Sequence, residues 1–305
     1  MTPFPDRLAE AVRRMGNPLC VGLDPRWDSL PDSIRKRHGI DSLDAIASAI
    51  KEFCLRVLDL VADRVPVVKP QSAFFEACGP AGMSVLQAII HRAKERGLVV
   101  ILDSKRGDIA STAEAYADAA IGRVEAGGRW FPIWDADAMT VNPYLGRDAV
   151  QPFIASARRA GNGVFVLVRT SNAGAGLFQD RVCDGRELYR HVAAAVSDWN
   201  ASGLGACGLG DVGAVIGATH PKELAELRAA HAAVWFLVPG YGAQGGTAAD
   251  ATAAFRPDGL GAIVNSSRGV TFPFHPADAG WETAIVTATE RAIGELTQAM
   301  HSARR

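Results

Sequence analysis

The strongest constraint on the fold is an alternation. Eight short apolar, largely β-branched runs, at residues 18–23, 65–69, 98–102, 138–141, 164–168, 214–217, 234–238 and 262–264, are separated by helical patterns. Near-continuous hydrophobic runs suit strands buried on both faces, as in a parallel sheet covered by helices. The intervening segments 42–62, 82–94, 111–126, 147–160, 187–199, 221–230 and 281–300 read as those helices. With eight strands, no break in composition and no long linker, an α/β fold closed as a (β/α)8 TIM barrel is more economical than an open doubly wound sheet. One domain would span residues 1–305.

Several element ends are legible. Ser111 followed by Glu114 has the spacing of a capping box, Gly127 and Gly128 would stop that helix, and Thr219 before Pro221 and Glu223 would start another. Trp130, Phe131, Pro132 and Trp134 crowd the stretch 127–137, which is neither periodic nor polar. An inserted, packed surface loop is the expectation there.

Composition removes several function classes. At 305 residues, 48% hydrophobic and 21% charged, the chain can bury a full core and is neither disordered nor a small stapled scaffold. Its 32 basic and 33 acidic residues leave a net charge of −1, so no global field draws it to nucleic acid or an anionic membrane. Any anion site must be local. The five cysteines are scattered without C-x-x-C spacing, which fits a reduced cytoplasm. No 18-residue apolar run and no signal-peptide core occur, so a cytoplasmic location without a membrane span is expected. The histidines lack metal-ligand spacing, and no metal is expected.

In a barrel of this kind the active site lies at the C-terminal ends of the strands, so the polar residues closing each apolar run matter most. The first run ends at Asp24, the second at Lys69, the third in Asp103, Lys105 and Asp108, and the fifth in Thr170, Ser171 and Asn172. Asp and Lys after a strand are commonly solvated loop charges. Agreement among three neighbouring strands speaks against that here. Asp103 and Lys105, two residues apart, would project to one side of an extended backbone. After the seventh and eighth runs come Gly240 to Gly246, containing Gln244, and Ser267-Arg268-Gly269, the place where barrel enzymes hold phosphate. Either segment alone would be an ordinary glycine-rich turn.

Taken in order, Gly22-Leu23-Asp24-Pro25, Lys69-Pro70-Gln71, Asp103-x-Lys105-x-x-Asp108 with Ile109 and Thr112, Asn142-Pro143-Tyr144, Arg169-Thr170-Ser171-Asn172 and Val238-Pro239-Gly240 to Gly246 resemble the orotidine 5'-phosphate decarboxylase family, in its longer bacterial branch. The resemblance covers nearly the whole chain. Ala110 stands where that branch carries glycine, and residues 135–137 match nothing in it.

The resemblance implies decarboxylation of orotidine 5'-monophosphate to uridine 5'-monophosphate without metal or organic cofactor. Lys105 would protonate the carbanion at ring carbon six, and Asp103 would sit by the departing carboxylate. Lys69 and Asp108 would complete an alternating charge network. Asp24 and Lys69 would hold the ribose, Ser171 the pyrimidine, and Gln244, Ser267 and Arg268 the phosphate. Asp108 and Thr112 would reach the site of a second subunit in a homodimer. Two other readings use parts of the pattern. A magnesium-dependent sugar-phosphate enzyme shares D-x-K-x-x-D but needs an acidic ligand close after the second strand, where Lys69 stands and Glu76 follows only later. A non-catalytic nucleotide-phosphate-binding barrel would not need charges that are costly to desolvate.

Overall fold

A computed structural model of the chain describes residues 2–242 and 245–303. Eight parallel strands, Leu19–Leu23, Val67–Pro70, Val99–Arg106, Ala138–Val141, Gly163–Arg169, Val212–Ile216, Phe236–Val238 and Ala262–Ser266, close into a barrel in sequence order. Each predicted run overlaps one of them. The eighth strand completes the ring by pairing Val264 with Leu19 and Ser266 with Val21.

Period-two alternation divides these apolar strands between two cores. Cys20, Val67, Ile101, Phe165, Val215, Leu237 and Ile263 fill the barrel interior. Their neighbours Val21, Val68, Val100, Val164 and Val264 face the helical layer. The bottom is plugged by the helix Phe4–Met15, which the strand and helix patterns above leave unassigned. Its Phe4, Leu8 and Val12, at helical spacing, join the interior cluster. Phe4 meets Phe165 edge-on with ring centroids 6.0 Å apart. A Cβ at position 163 would lie 2.3 Å from the Phe4 ring, so the plug requires Gly163.

Most helices fall near their predicted positions: Leu43–Val61, Gly79–Glu95, Arg147–Ala160, Leu188–Asn200, Pro221–Ala230 and Trp281–Ala303. Segment 111–126 differs. Its helix runs Ala110–Ala120, Ile109 rather than Ser111 occupies the N-cap, and no side chain caps it. The chain then forms an antiparallel hairpin, Val124–Ala126 with Arg129–Phe131. Gly127 and Gly128, at φ 58° and 73°, make its tight turn instead of ending a helix. Ala110 itself sits at φ 47°, the left-handed region that glycine occupies without a Cβ penalty. No helix among the described residues is long and apolar enough to cross a membrane.

Candidate active site

The barrel brings the strand-end charges to one rim. Register places Gly22 beside Lys69 and Gln71 beside Asp103, so Lys69 and Asp103 sit on neighbouring strands. Their side chains are 6% and 8% exposed, and Lys69 Nζ stands 2.6 Å from Asp103 Oδ2. Lys105 Nζ reaches the other carboxylate oxygen, Oδ1, at 2.6 Å. One buried carboxylate is therefore held between two ammonium groups. Burial works to strip the Lys69 proton, but Asp103 first and Asp24 second outweigh it and raise its pKa above the usual lysine value. Burial likewise favours a protonated Asp103, yet Lys69 and Lys105 hold it well below the usual carboxylate range. Lys69 and Asp103 thus stay charged at neutral pH although both are out of water.

Asp103 and Lys105 meet, though not by simple strand alternation. Leu102 pairs with Met139 while Arg106 pairs with Val141, so Asp103, Ser104 and Lys105 stand opposite the single residue Thr140. Such a bulge re-aims side chains. Lys105 lies at φ 47°, and its half-exposed side chain bends over Asp103.

A cavity of about 1140 Å³ opens above this cluster, somewhat beyond the usual ~300–1,000 Å³ of small-molecule sites. Asp24, Lys69, Asp103 and Lys105 line one part, Ser171 another, and Ser267 and Arg268 a third. At the last of these the first and eighth strands approach closely. A Cβ on residue 22 would fall 1.9 Å from Ser267 Oγ, so the rim there depends on Gly22. Asp24 Oδ1 is buried without a hydrogen-bond partner among the described residues.

Of the residues singled out from sequence, Asp108 and Thr112 do not line this cavity. The Asp108 carboxylate accepts from the Ile109 amide at 2.8 Å, and Thr112 is exposed on the helix Ala110–Ala120. Gln244 lies outside the described residues. Glu76 pairs with Arg106 and is absent from the cavity wall. Among the described residues, no group of three or more His, Cys, Asp or Glu side chains is placed to hold a metal ion.

Sequence reasoning missed one buried polar residue here, Thr140, and quoted a second, Arg169, in the Arg169-Thr170-Ser171-Asn172 motif without giving it a role. Thr140 hydrogen-bonds Asp103 at 2.9 Å, and its only sequence signal is a hydroxyl at an inward position of an apolar run. Arg169 ends the fifth strand, pairs with Asp180 at 2.9 Å and lies over the Tyr189 ring. Gln179 beside it accepts from the Thr170 amide at 2.9 Å. These contacts tie the segment around the short helix Gly176–Gln179 to the strand that carries Ser171.

Residues 17–280 match the Orotidine 5'-phosphate decarboxylase / HUMPS family. The chain belongs to that family. It is 47% identical over 296 residues to the orotidine 5'-phosphate decarboxylase of Rhodopirellula baltica, covering 95% of this chain and 97% of that protein. The protein of the same name from Roseiflexus castenholzii is 42% identical over 305 residues, covering 99% and 98%. Among solved structures, Leishmania donovani OMP decarboxylase superposes with a TM-score of 0.76 at 34% identity, covering 98% of this chain and 99% of that one. Family membership, expected from the strand-end motifs, and barrel closure, expected from the eight alternating runs, are thereby established.

Proposed function

We propose that this chain converts orotidine 5'-monophosphate to uridine 5'-monophosphate and carbon dioxide, in the cytoplasm, as a step of pyrimidine biosynthesis. The observation that carries the reading is the Lys69–Asp103–Lys105 array at the cavity wall, with its Lys69–Asp103 pair buried, and Ser267 and Arg268 lining the same cavity. The bond from ring carbon six to the carboxylate breaks, its electron pair stays on carbon six, and carbon dioxide leaves. The ammonium of Lys105 stabilises that pair and then donates a proton to it, and solvent reprotonates the amine. Asp103, fixed between two cations, lies beside the departing carboxylate and holds Lys105 in place. The reaction calls for transition-state stabilisation on the order of 20 kcal/mol. Preorganised charge in a desolvated site is the means these residues offer.

Asp24 and Lys69 serve the ribose, Ser171 the pyrimidine edge, and Gln244, Ser267 and Arg268 the phosphate. Binding energy from that remote phosphate organises the reacting end. Asp108 and Thr112 act in the site of a second copy within a symmetric dimer. Their position off their own cavity supports this, as do the exposed Ile109 and Tyr116 beside them.

The test is to incubate purified protein with orotidine 5'-monophosphate, with and without a chelator, and follow the ultraviolet change as the ring loses its carboxylate. Turnover at equal rates in both is expected. Loss with chelator and recovery with magnesium would move the chain to the sugar-phosphate side of its family.

A further inference from the structure

The bulge that delivers Lys105 leaves an accounting problem, and one side chain solves it. Where Asp103, Ser104 and Lys105 stand opposite Thr140, the amides of Ser104 and Lys105 have no regular place in the ladder. Both turn to the same atom. Thr140 Oγ1 accepts from Ser104 N at 3.0 Å and from Lys105 N at 2.9 Å. Its own hydrogen goes to Asp103 Oδ1 at 2.9 Å. A hydroxyl has one donor and two acceptor sites, so all three are used and the hydrogen can point only at the carboxylate.

The consequences reach both charged groups of the reaction. Asp103 Oδ1 receives Thr140 and Lys105, and Oδ2 receives Lys69, which fixes the carboxylate plane from three sides. Lys105 is a non-glycine residue in the left-handed region, a conformation that persists only where surroundings over-determine it. The bond from its amide to Thr140 is part of that determination. Thr140 lines the cavity but is only 1% exposed, contributes no charge and has both acceptor sites and the donor of its hydroxyl in use, so it acts through the groups it holds.

We infer that Thr140 is a positioning residue of the decarboxylation, setting the Lys105 backbone turn and the Asp103 carboxylate with one hydroxyl. The inference rests on the reaction proposed above and adds a residue to it. Displacement of a reacting group by about 1 Å costs on the order of 10²-fold in rate. Phosphate holding, by contrast, is assigned to Ser267 and Arg268, neither of which is among the hydrogen-bond partners of Thr140.

Three variants separate the hydroxyl from the volume of the side chain. Thr140→Val keeps the shape and removes all three hydrogen bonds, Thr140→Ser keeps the hydroxyl and loses the methyl, and Thr140→Ala loses both. Initial rates on orotidine 5'-monophosphate and binding of uridine 5'-monophosphate are measured for each alongside the parent, with melting temperatures. Thr140→Val is expected to lower kcat by about 10²-fold with nucleotide affinity close to the parent's, and Thr140→Ser to retain most of kcat. Should Thr140→Val fail to fold, the same contrast is read between Thr140→Ala and Thr140→Ser. Parental kcat in the hydroxyl-free variant overturns the inference, as does an equal loss in the serine variant, which would assign the effect to methyl packing. An inactive parent protein would instead overturn the proposed reaction.

Discussion

At the closed end of the barrel Arg228 is buried without a salt-bridge partner among the described residues, yet its guanidinium donates to the carbonyls of Ala254, Val234 and Gly261 at 2.7 to 2.9 Å and to His231 O at 3.0 Å. Asp137, at the same end of the barrel, is likewise satisfied, taking Arg7 at 2.8 Å on one oxygen and the Val100 amide at 2.9 Å on the other. At the open end the charged groups are treated differently. Asp24 Oδ1, at the cavity wall, is buried and lacks a partner among the described residues, while Lys105 leaves its side chain 45% exposed. The closed end uses buried charge to finish the backbone's hydrogen bonding. The open end holds charge in a form still available to a ligand, as expected where catalysis occupies one face of a barrel and stability the other.

The largest test of that contrast is at Lys105. Lys105→Ala should lower turnover by about 10⁴-fold or more, because it removes both the nearest cation and the proton donor. Affinity for uridine 5'-monophosphate should stay measurable, and the melting temperature should hardly move. An unfolded or much less stable Lys105→Ala protein would show that this lysine belongs to the scaffold.

The opposite outcome is expected from Arg228→Met. Several buried carbonyls lose their donor at once, so unfolding by denaturant should show a loss of about 3–5 kcal/mol. Rates measured at a temperature where the variant remains folded should match the parent. A fall in kcat as large as at the rim would mean that the two ends are not separable.

These two residues also mark how far the sequence could be read. Lys105 was legible because a chemical argument ties D-x-K at a strand end to a site. Arg228 was not, because its partners are carbonyls of segments 3 to 33 residues away, and carbonyls carry no residue identity. The eight strands were legible for a related reason: a strand buried on both faces leaves an apolar run that little else imitates. The plug helix Phe4–Met15 was missed because its apolar positions alternate with charges, and only tertiary packing against Phe165 gives them meaning. Gly127 and Gly128 were read as a helix stop when they form a hairpin turn, since positive φ serves both purposes. At the rim, the D-x-K spacing suggested an extended strand. The bulge opposite Thr140 became visible only through pairing with the fourth strand.

A smaller effect should follow at the phosphate end. Arg268, exposed at the head of the segment after the eighth strand, is assigned to holding substrate, so Arg268→Ala should raise KM by about 10²-fold while kcat changes far less. Binding of uridine 5'-monophosphate, compared with uridine, reads the same assignment without catalysis. Equal affinity of parent and variant for the phosphorylated ligand would remove Arg268 from the phosphate site. Gly22→Ala offers an independent approach to that end, because the added Cβ would collide with Ser267 Oγ and should weaken the same ligand.

The smallest signal, a partial recovery of activity, probes a boundary between copies of the chain. Asp108 follows Lys105 by three residues but lies off the cavity that Lys105 lines, and the proposed dimer sends it to the partner's site. Each site would then combine Lys105 of one chain with Asp108 and Thr112 of the other. Lys105→Ala and Asp108→Ala homodimers should each be inactive or nearly so. In a mixed dimer one site carries both substitutions and the other carries neither. Refolding an equal mixture gives about half mixed dimers, each with one intact site of two, so roughly a quarter of parental activity should return. The measurement is activity before and after co-refolding, with heterodimer formation verified by distinguishable tags. Heterodimers without recovered activity would place Asp108 in the site of its own chain, and the open rim would then be built from one copy alone.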